Sequence, residues 1–166
     1  MLKDFDLKKK ELIEKLGVHI EANDHYAPLA ARIVAFIILN GRKGATFEQL
    51  VTNLCASKST VSTHLTHLQS LKKILYYTKT GDRKKYFVVN KDHLVQNMDN
   101  MIATWTSQKI LHEEIKEFKD SYNQLETTDD ESKFDLEFHT DFITFLNEAT
   151  ASISILRKKL IEKHHI

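Results

Sequence analysis

Apolar positions along the chain fall mostly at helical spacing. Residues 4–20 set Phe5, Leu12, Leu16 and Ile20 near one stripe with lysines and glutamates around it, which predicts an amphipathic helix. A second helix contains Pro28 to Leu39, and Gly41 and Gly44 bracket its end. From Thr46 to Val89 follow a short helix signal, a tight step, a helix opening at Ser57, and a basic hairpin with Gly81 at its tip. Spacings of three and four then run from His93 to Leu125 through Leu94, Met98, Met101, Trp105, Leu111, Ile115, Phe118 and Tyr122. The last segment, Phe134 to Ile161, offers Phe138, Phe142, Phe145, Leu146, Ala149, Ile153, Leu156 and Leu160 as a partner face, with the polar stretch from Glu126 to Glu131 as the turn. Only four glycines and one proline interrupt the chain, so long helices are expected.

The order helix, step, helix, hairpin reads as a winged helix-turn-helix core inside a mainly α chain. In the helix opening at Ser57, Val61, Leu65 and Leu68 form one apolar stripe at i, i+4 and i+7. Ser59, Thr60, Thr63, Thr66 and His67 share most of the opposite face. A merely solvated helix would more often carry Glu and Lys there. Short hydroxyl and imidazole groups suit close approach to phosphates and base edges.

Charge leads to the same place. Between residues 40 and 91, ten basic residues stand against Glu48 and Asp82 alone, a local net of +8, whereas residues 1–39 sum to zero and residues 92–166 to −7. The overall +1 therefore hides a basic centre suited to a polyanion such as double-stranded DNA. At 166 residues the chain can bury a core without staples, and a single cysteine, Cys55, excludes an intramolecular disulfide framework. No apolar run is long enough for a bilayer, and Met1-Leu2-Lys3-Asp4-Phe5-Asp6 lacks an apolar targeting core, so a cytoplasmic protein without a membrane partner is expected.

The flanking helices call for burial. A helix of about 33 residues would extend roughly 50 Å, beyond what a winged module covers. A homodimer packing these helices against their copies is the expected solution, with an intrachain three-helix bundle as the alternative. The expected organisation is residues 1–25 as an N-terminal helix of the dimerisation frame, 26–91 as the winged DNA-binding core, and 92–166 as long C-terminal dimerisation helices. Two recognition helices about 34 Å apart could then enter successive major-groove turns.

Three stretches carry a family resemblance: Tyr26-Ala27-Pro28-Leu29-Ala30-Ala31-Arg32-Ile33; then Thr46-Phe47-Glu48-Gln49-Leu50 with Ser57-Lys58-Ser59-Thr60-Val61-Ser62-Thr63-His64-Leu65; and Gly81-Asp82-Arg83-Lys84-Lys85-Tyr86-Phe87. Over roughly residues 26–90 the chain resembles the MarR-like winged-helix regulators, in particular the branch named after the glycine-betaine-synthesis repressor (GbsR-like). The resemblance implies a dimer, commonly a repressor whose DNA affinity falls on binding an effector, with the helix from Ser57 as recognition helix and Arg83 reaching the minor groove or its phosphates. It departs from the family where Cys55 replaces the first glycine usually present in the turn before that helix. A small buried filler is the preferred reading of Cys55, with redox sensing as the alternative.

The expected DNA contacts are Ser57, Lys58, Ser59, Thr60, Thr63, His64 and His67 on the helix and Lys79, Arg83 and Lys84 on the hairpin. Ser57 fits as N-cap, Lys58 and Lys84 suit phosphates, and Thr60, Thr63, His64 and His67 suit base edges or the groove. Asp82 is expected to orient Arg83 or to form the turn. A small-molecule effector is expected near Trp105, with Tyr26 and Phe142 as further aromatic walls, and plain core packing is the competing account of all three. No glycine-rich phosphate loop, nucleophile elbow or HExxH pair occurs, so neither enzyme activity nor a cofactor is expected. Cys55 and His64 across the turn do not amount to a metal site. The function read from the sequence is a sequence-specific transcription regulator, a dimeric repressor open to small-molecule control. The alternative is a winged-helix protein-interaction module or a non-specific architectural DNA-binding module.

Overall fold

Nearly every side chain from Pro28 to Asn40 is apolar, so the helix they form is buried on most of its circumference and becomes the axis around which its neighbours pack. The computed structural model describes residues 2–125 and 130–164 and divides the chain into two compact units, residues 1–90 and 91–166.

In the first unit, α1 (Leu2–Asp24) lies along α2 (Pro28–Asn40). The buried row of α1 is Ile13, Gly17 and Ile20 with Leu16 half-buried, which keeps Leu16 and Ile20 of the expected stripe and corrects its other two residues: Phe5 is 75% and Leu12 42% exposed. Gly17 marks where α1 and α2 approach closely. A Cβ there would stand 2.8 Å from Arg32 Cγ, so the bare backbone is what lets the two helices close at this level. Arg32, itself half-buried, also bonds to Glu14 at 2.9 Å and Glu21 at 3.4 Å, with both carboxylates reaching solvent.

Gly41, at φ 58°, ends α2 by donating its N–H to the Ile37 and Ile38 carbonyls. A 3-10 turn (Gly41–Lys43) leads to β1 (Ala45–Thr46), α3 (Phe47–Asn53), α4 (Lys58–Ser70) and the hairpin of β2 (Ile74–Lys79) and β3 (Asp82–Val89). The sheet has the order β1-β3-β2, antiparallel throughout, with Phe87 paired to Ala45 on one side and Tyr76 on the other. Ile33, Ile37, Leu50, Val61, Leu68 and Ile74 are almost fully buried, joining α2, α3, α4 and the sheet in one core. This is a winged helix-turn-helix, with the hairpin as its wing.

The second unit is a helical hairpin of α5 (Lys91–Asn123, 33 residues) and α6 (Glu137–His164), preceded by a 3-10 turn (Asp130–Ser132). Of the expected turn, positions 126–129 lie outside the described residues. Asn123 closes the connection by donating to the Phe134 carbonyl at 2.9 Å and accepting from its N–H at 2.8 Å. Arg157 clasps the Asp99 carboxylate with Nε and Nη2. Leu146 is fully buried between the helices, yet Leu111, Phe118, Leu125, Phe138, Phe145 and Leu156 from the expected stripes are exposed. Among the described residues no helix is long and apolar enough to cross a membrane.

Candidate nucleic-acid interface

Helix α4 is held at its start, along its inner face and from the preceding turn. Ser57, in extended conformation, accepts the Thr60 N–H at 3.1 Å, and its hydroxyl also meets those of Ser59 and Thr60 at 2.9 and 2.7 Å. Ser57 thus works as the expected N-cap. Val61, Leu65 and Leu68 are buried as the stripe predicted. Ahead of them α3 begins with a reciprocal capping box: Thr46 Oγ1 accepts from Gln49 N, and Gln49 Oε1 accepts from Thr46 N.

Cys55 lies in the step between α3 and α4, and the structure corrects its reading as a buried filler: the residue is exposed. Its φ of 50° is the reason. The chain turns here through the left-handed region that a glycine occupies at little cost, and the side chain is carried outward, with Sγ 3.8 Å from the Thr52 carbonyl.

Outward from α4 point Lys58, Ser59, Thr60, Thr63, Thr66 and His67, all exposed, while His64 is half-buried at the edge of the apolar row. Thr63 and Thr66 donate their hydroxyl protons to the Ser59 and Ser62 carbonyls, each at 3.0 Å. In that state each threonine presents its oxygen lone pairs and a methyl group, chemistry matched to base amino groups and to the thymine methyl.

The wing is built around two stacked tyrosines. Tyr77 and Tyr86 lie 5.4 Å apart at 21°, and Lys79 sits 4.0 Å from the Tyr86 ring centre. On the other strand face, Lys85 lies 4.2 Å from the Tyr76 ring, which meets Phe87 edge-on. Asp82 is a turn former: its carboxylate accepts the Lys84 N–H at 2.9 Å and the Tyr86 hydroxyl at 2.6 Å. The Tyr86 bond first and the Lys84 bond second hold its pKa below the ordinary carboxylate value, and the same Asp82–Tyr86 bond raises that of Tyr86. Arg83 and Lys84 are exposed.

Between α4 and the wing lies an open cleft of about 480 Å³. Ser62, Thr66 and Gln69 form one wall and Arg83, Lys84 and Lys85 the other, above Leu65 and Phe87, with Glu48 at the rim. Ser62, Thr66, Gln69 and Lys85 stand outside the set picked from sequence, although the spacing of Ser62, Thr66 and Gln69 was the signal that could have found three of them.

No family model matches the chain, and no curated protein matches it. A solved structure described as the crystal structure of a transcriptional regulator is similar to it over 93% of this chain and 99% of its own, at 17% identity and a TM-score of 0.50. The likeness is one of fold.

The three aromatic residues expected at an effector are distributed over the two units. Tyr26, in the first, is half-buried, with Lys73 Nζ 5.7 Å from its ring and a buried hydroxyl that lacks a hydrogen-bond partner among the described residues. In the second unit Trp105 is half-buried on α5, and Phe142 is stacked between Phe138 and Phe145 with His112 at 4.6 Å.

Proposed function

We propose that the chain is a sequence-specific regulator that binds double-stranded DNA with α4 in the major groove and the wing beside it. One observation carries the reading: Ser62, Thr66 and Gln69 of α4 stand across a cleft from the wing cations Arg83, Lys84 and Lys85, beside an exposed helix face of hydroxyls and imidazole. The net charge of +8 over residues 40–91 adds the electrostatic term that such a contact requires. The solved structure of similar fold is described as a transcriptional regulator, which agrees with it. Selection of bound duplexes from a random pool tests the reading directly. A defined motif, recovered as two half-sites about 10 base pairs apart, is the expected result. Binding that ignores sequence would favour the architectural alternative.

Homodimerisation, repression and membership of the MarR-like, GbsR-like branch belong to the same proposal. What supports the dimer is the exposed apolar surface of α5 and α6, where Phe118 is 67% and Phe145 55% exposed. Control by a small molecule is tested by release of the selected duplex, with emission from Trp105, the single tryptophan, reporting occupancy.

A further inference from the structure

We propose that the first unit carries a second anion site, a cleft for a phosphate group on the strand face of the wing opposite Arg83 and Lys85. Successive residues of a strand point to opposite faces, so Tyr86 looks away from the side that Lys85 and Phe87 present to α4. There an open cleft of about 810 Å³ is lined by Lys9 of α1, Arg42 and Lys43 of the 3-10 turn, and Lys79 of β2, with the amide side chains of Asn40 and Gln49. Among the described residues no carboxylate lines it. Four cations drawn from three separate stretches of chain repel one another, and an anion between them converts that repulsion into binding.

The cleft is held in place by its own bonds. Tyr77 donates its hydroxyl to the carbonyls of Arg42 and Lys43, at 3.3 and 3.0 Å, tying the turn to the wing. Lys9 Nζ donates to Asn40 Oδ1, and Asn40 Nδ2 donates to the Gly44 carbonyl at 3.0 Å. Lys79 rests on the Tyr86 ring, 4.0 Å from its centre. Gly44, at φ 66°, lets the turn close on β3, since a Cβ there would stand 2.8 Å from the Phe87 carbonyl oxygen. The carboxylates nearby are engaged or lie outside: Asp82 accepts from Tyr86 and Lys84, and Asp6 lines the adjoining groove with Lys9 and Lys10.

The chemistry favours phosphate over a lone carboxylate. Two or more ammonium groups, a guanidinium fork and amide donors offer more hydrogen bonds and charge than one carboxylate can use, and a phosphate group has the acceptor oxygens to take them. The phosphate can belong to the backbone of a bound duplex or to a free phosphorylated small molecule.

Pyrophosphate, titrated into the full chain at constant ionic strength, is the probe. Saturable shifts of the Arg42, Lys43, Gly44 and Tyr86 amide resonances are expected. Binding should weaken by about tenfold or more in the Arg42→Gln/Lys43→Gln pair, each substitution removing a charge-assisted contact. Absence of saturable shifts at those amides in the unaltered chain overturns the proposal, whatever the variant does. So does equal binding by the folded pair, or by a poly-glutamate peptide in place of pyrophosphate. Duplex binding by the same pair over a salt series separates the sources: a slope shallower by about 2 assigns the cleft to the nucleic-acid backbone, and an unchanged slope assigns it to a free phosphorylated molecule. Pyrophosphate binding here with no sequence selection by the chain would sink the reading of α4 and leave this site standing.

Discussion

His112 and His139 meet through their Nδ1 atoms at 3.0 Å, joining α5 to α6, and Lys119 Nζ stands 2.9 Å from the other ring nitrogen of His139. A lysine ammonium can only donate, so Nε2 of His139 accepts, and its Nδ1 carries the proton offered to His112. A second proton on His139 has no seat. The residue is 7% exposed, and burial first, then the charges of Lys119 and His112, hold its pKa below the ordinary 6.5; Asp135 pulls the other way and Lys116 adds to the depression.

Stability of the helical hairpin should therefore fall with acid. The folded state refuses a proton that the unfolded chain accepts, so the loss begins near pH 6.5, the unfolded value, and grows as pH drops through the lower folded value. Above about pH 7.5 the effect should vanish. Urea unfolding followed by Trp105 emission between pH 5 and 8 checks this, with His139→Leu expected to give a flatter profile. Superimposable pH profiles for the two chains would show that this imidazole does not govern the response.

The dimer prediction can separate assembly from folding. Phe118 and Phe145 are exposed, whereas Phe142 packs against His112, Phe138 and Phe145. Phe118→Asp and Phe145→Asp should preserve helix content and halve the mass seen by light scattering at micromolar concentration. Phe142→Asp should lose helix content as well, because it buries a charge. A native chain that already sediments as a monomer would remove the proposed assembly.

Glycine substitutions on the first unit should differ by site. At Gly44 an alanine meets both a φ of 66° and the Phe87 carbonyl oxygen at 2.8 Å, so a loss of about 1–3 kcal/mol is expected. At Gly81, with φ 79° and open space around the added Cβ, only the backbone preference is lost, about 1 kcal/mol. Denaturant midpoints of the two variants measure the gap.

Contacts that hold the DNA backbone and contacts that read bases should respond differently. Lys58→Ala should reduce the salt slope of duplex binding by about 1 with the selected motif unchanged. Thr63→Ala should change the motif at one position with little change in slope. Arg83→Ala/Lys84→Ala should weaken every duplex, and full affinity in that pair would take the wing off the DNA.

Helix α4 was legible because its buried positions are all strongly apolar at one spacing and its exposed ones are all polar. In α1 the periodicity reached Leu16 and Ile20 but placed Phe5 and Leu12 beside them instead of Ile13 and Gly17, and Gly17, which permits close packing, carries no hydrophobicity to be counted. His139 escaped notice for a related reason: a polar side chain between apolar neighbours becomes interior only when a partner 27 residues away satisfies it. The cleft of Lys9, Arg42 and Lys79 was not readable as a site, because only the closing of α1 and the wing on the 3-10 turn brings those charges together. Periodicity reports on one element at a time, and both omissions arise between elements.

The outward turn of Cys55 gives the chain a ready optical handle. It is the single thiol, exposed, and two positions ahead of the cap of α4. A maleimide dye attached there would ride at the junction of α3 and α4 while leaving the hydroxyl face bare. Its emission would register the arrival of a duplex in real time, with no residue replaced.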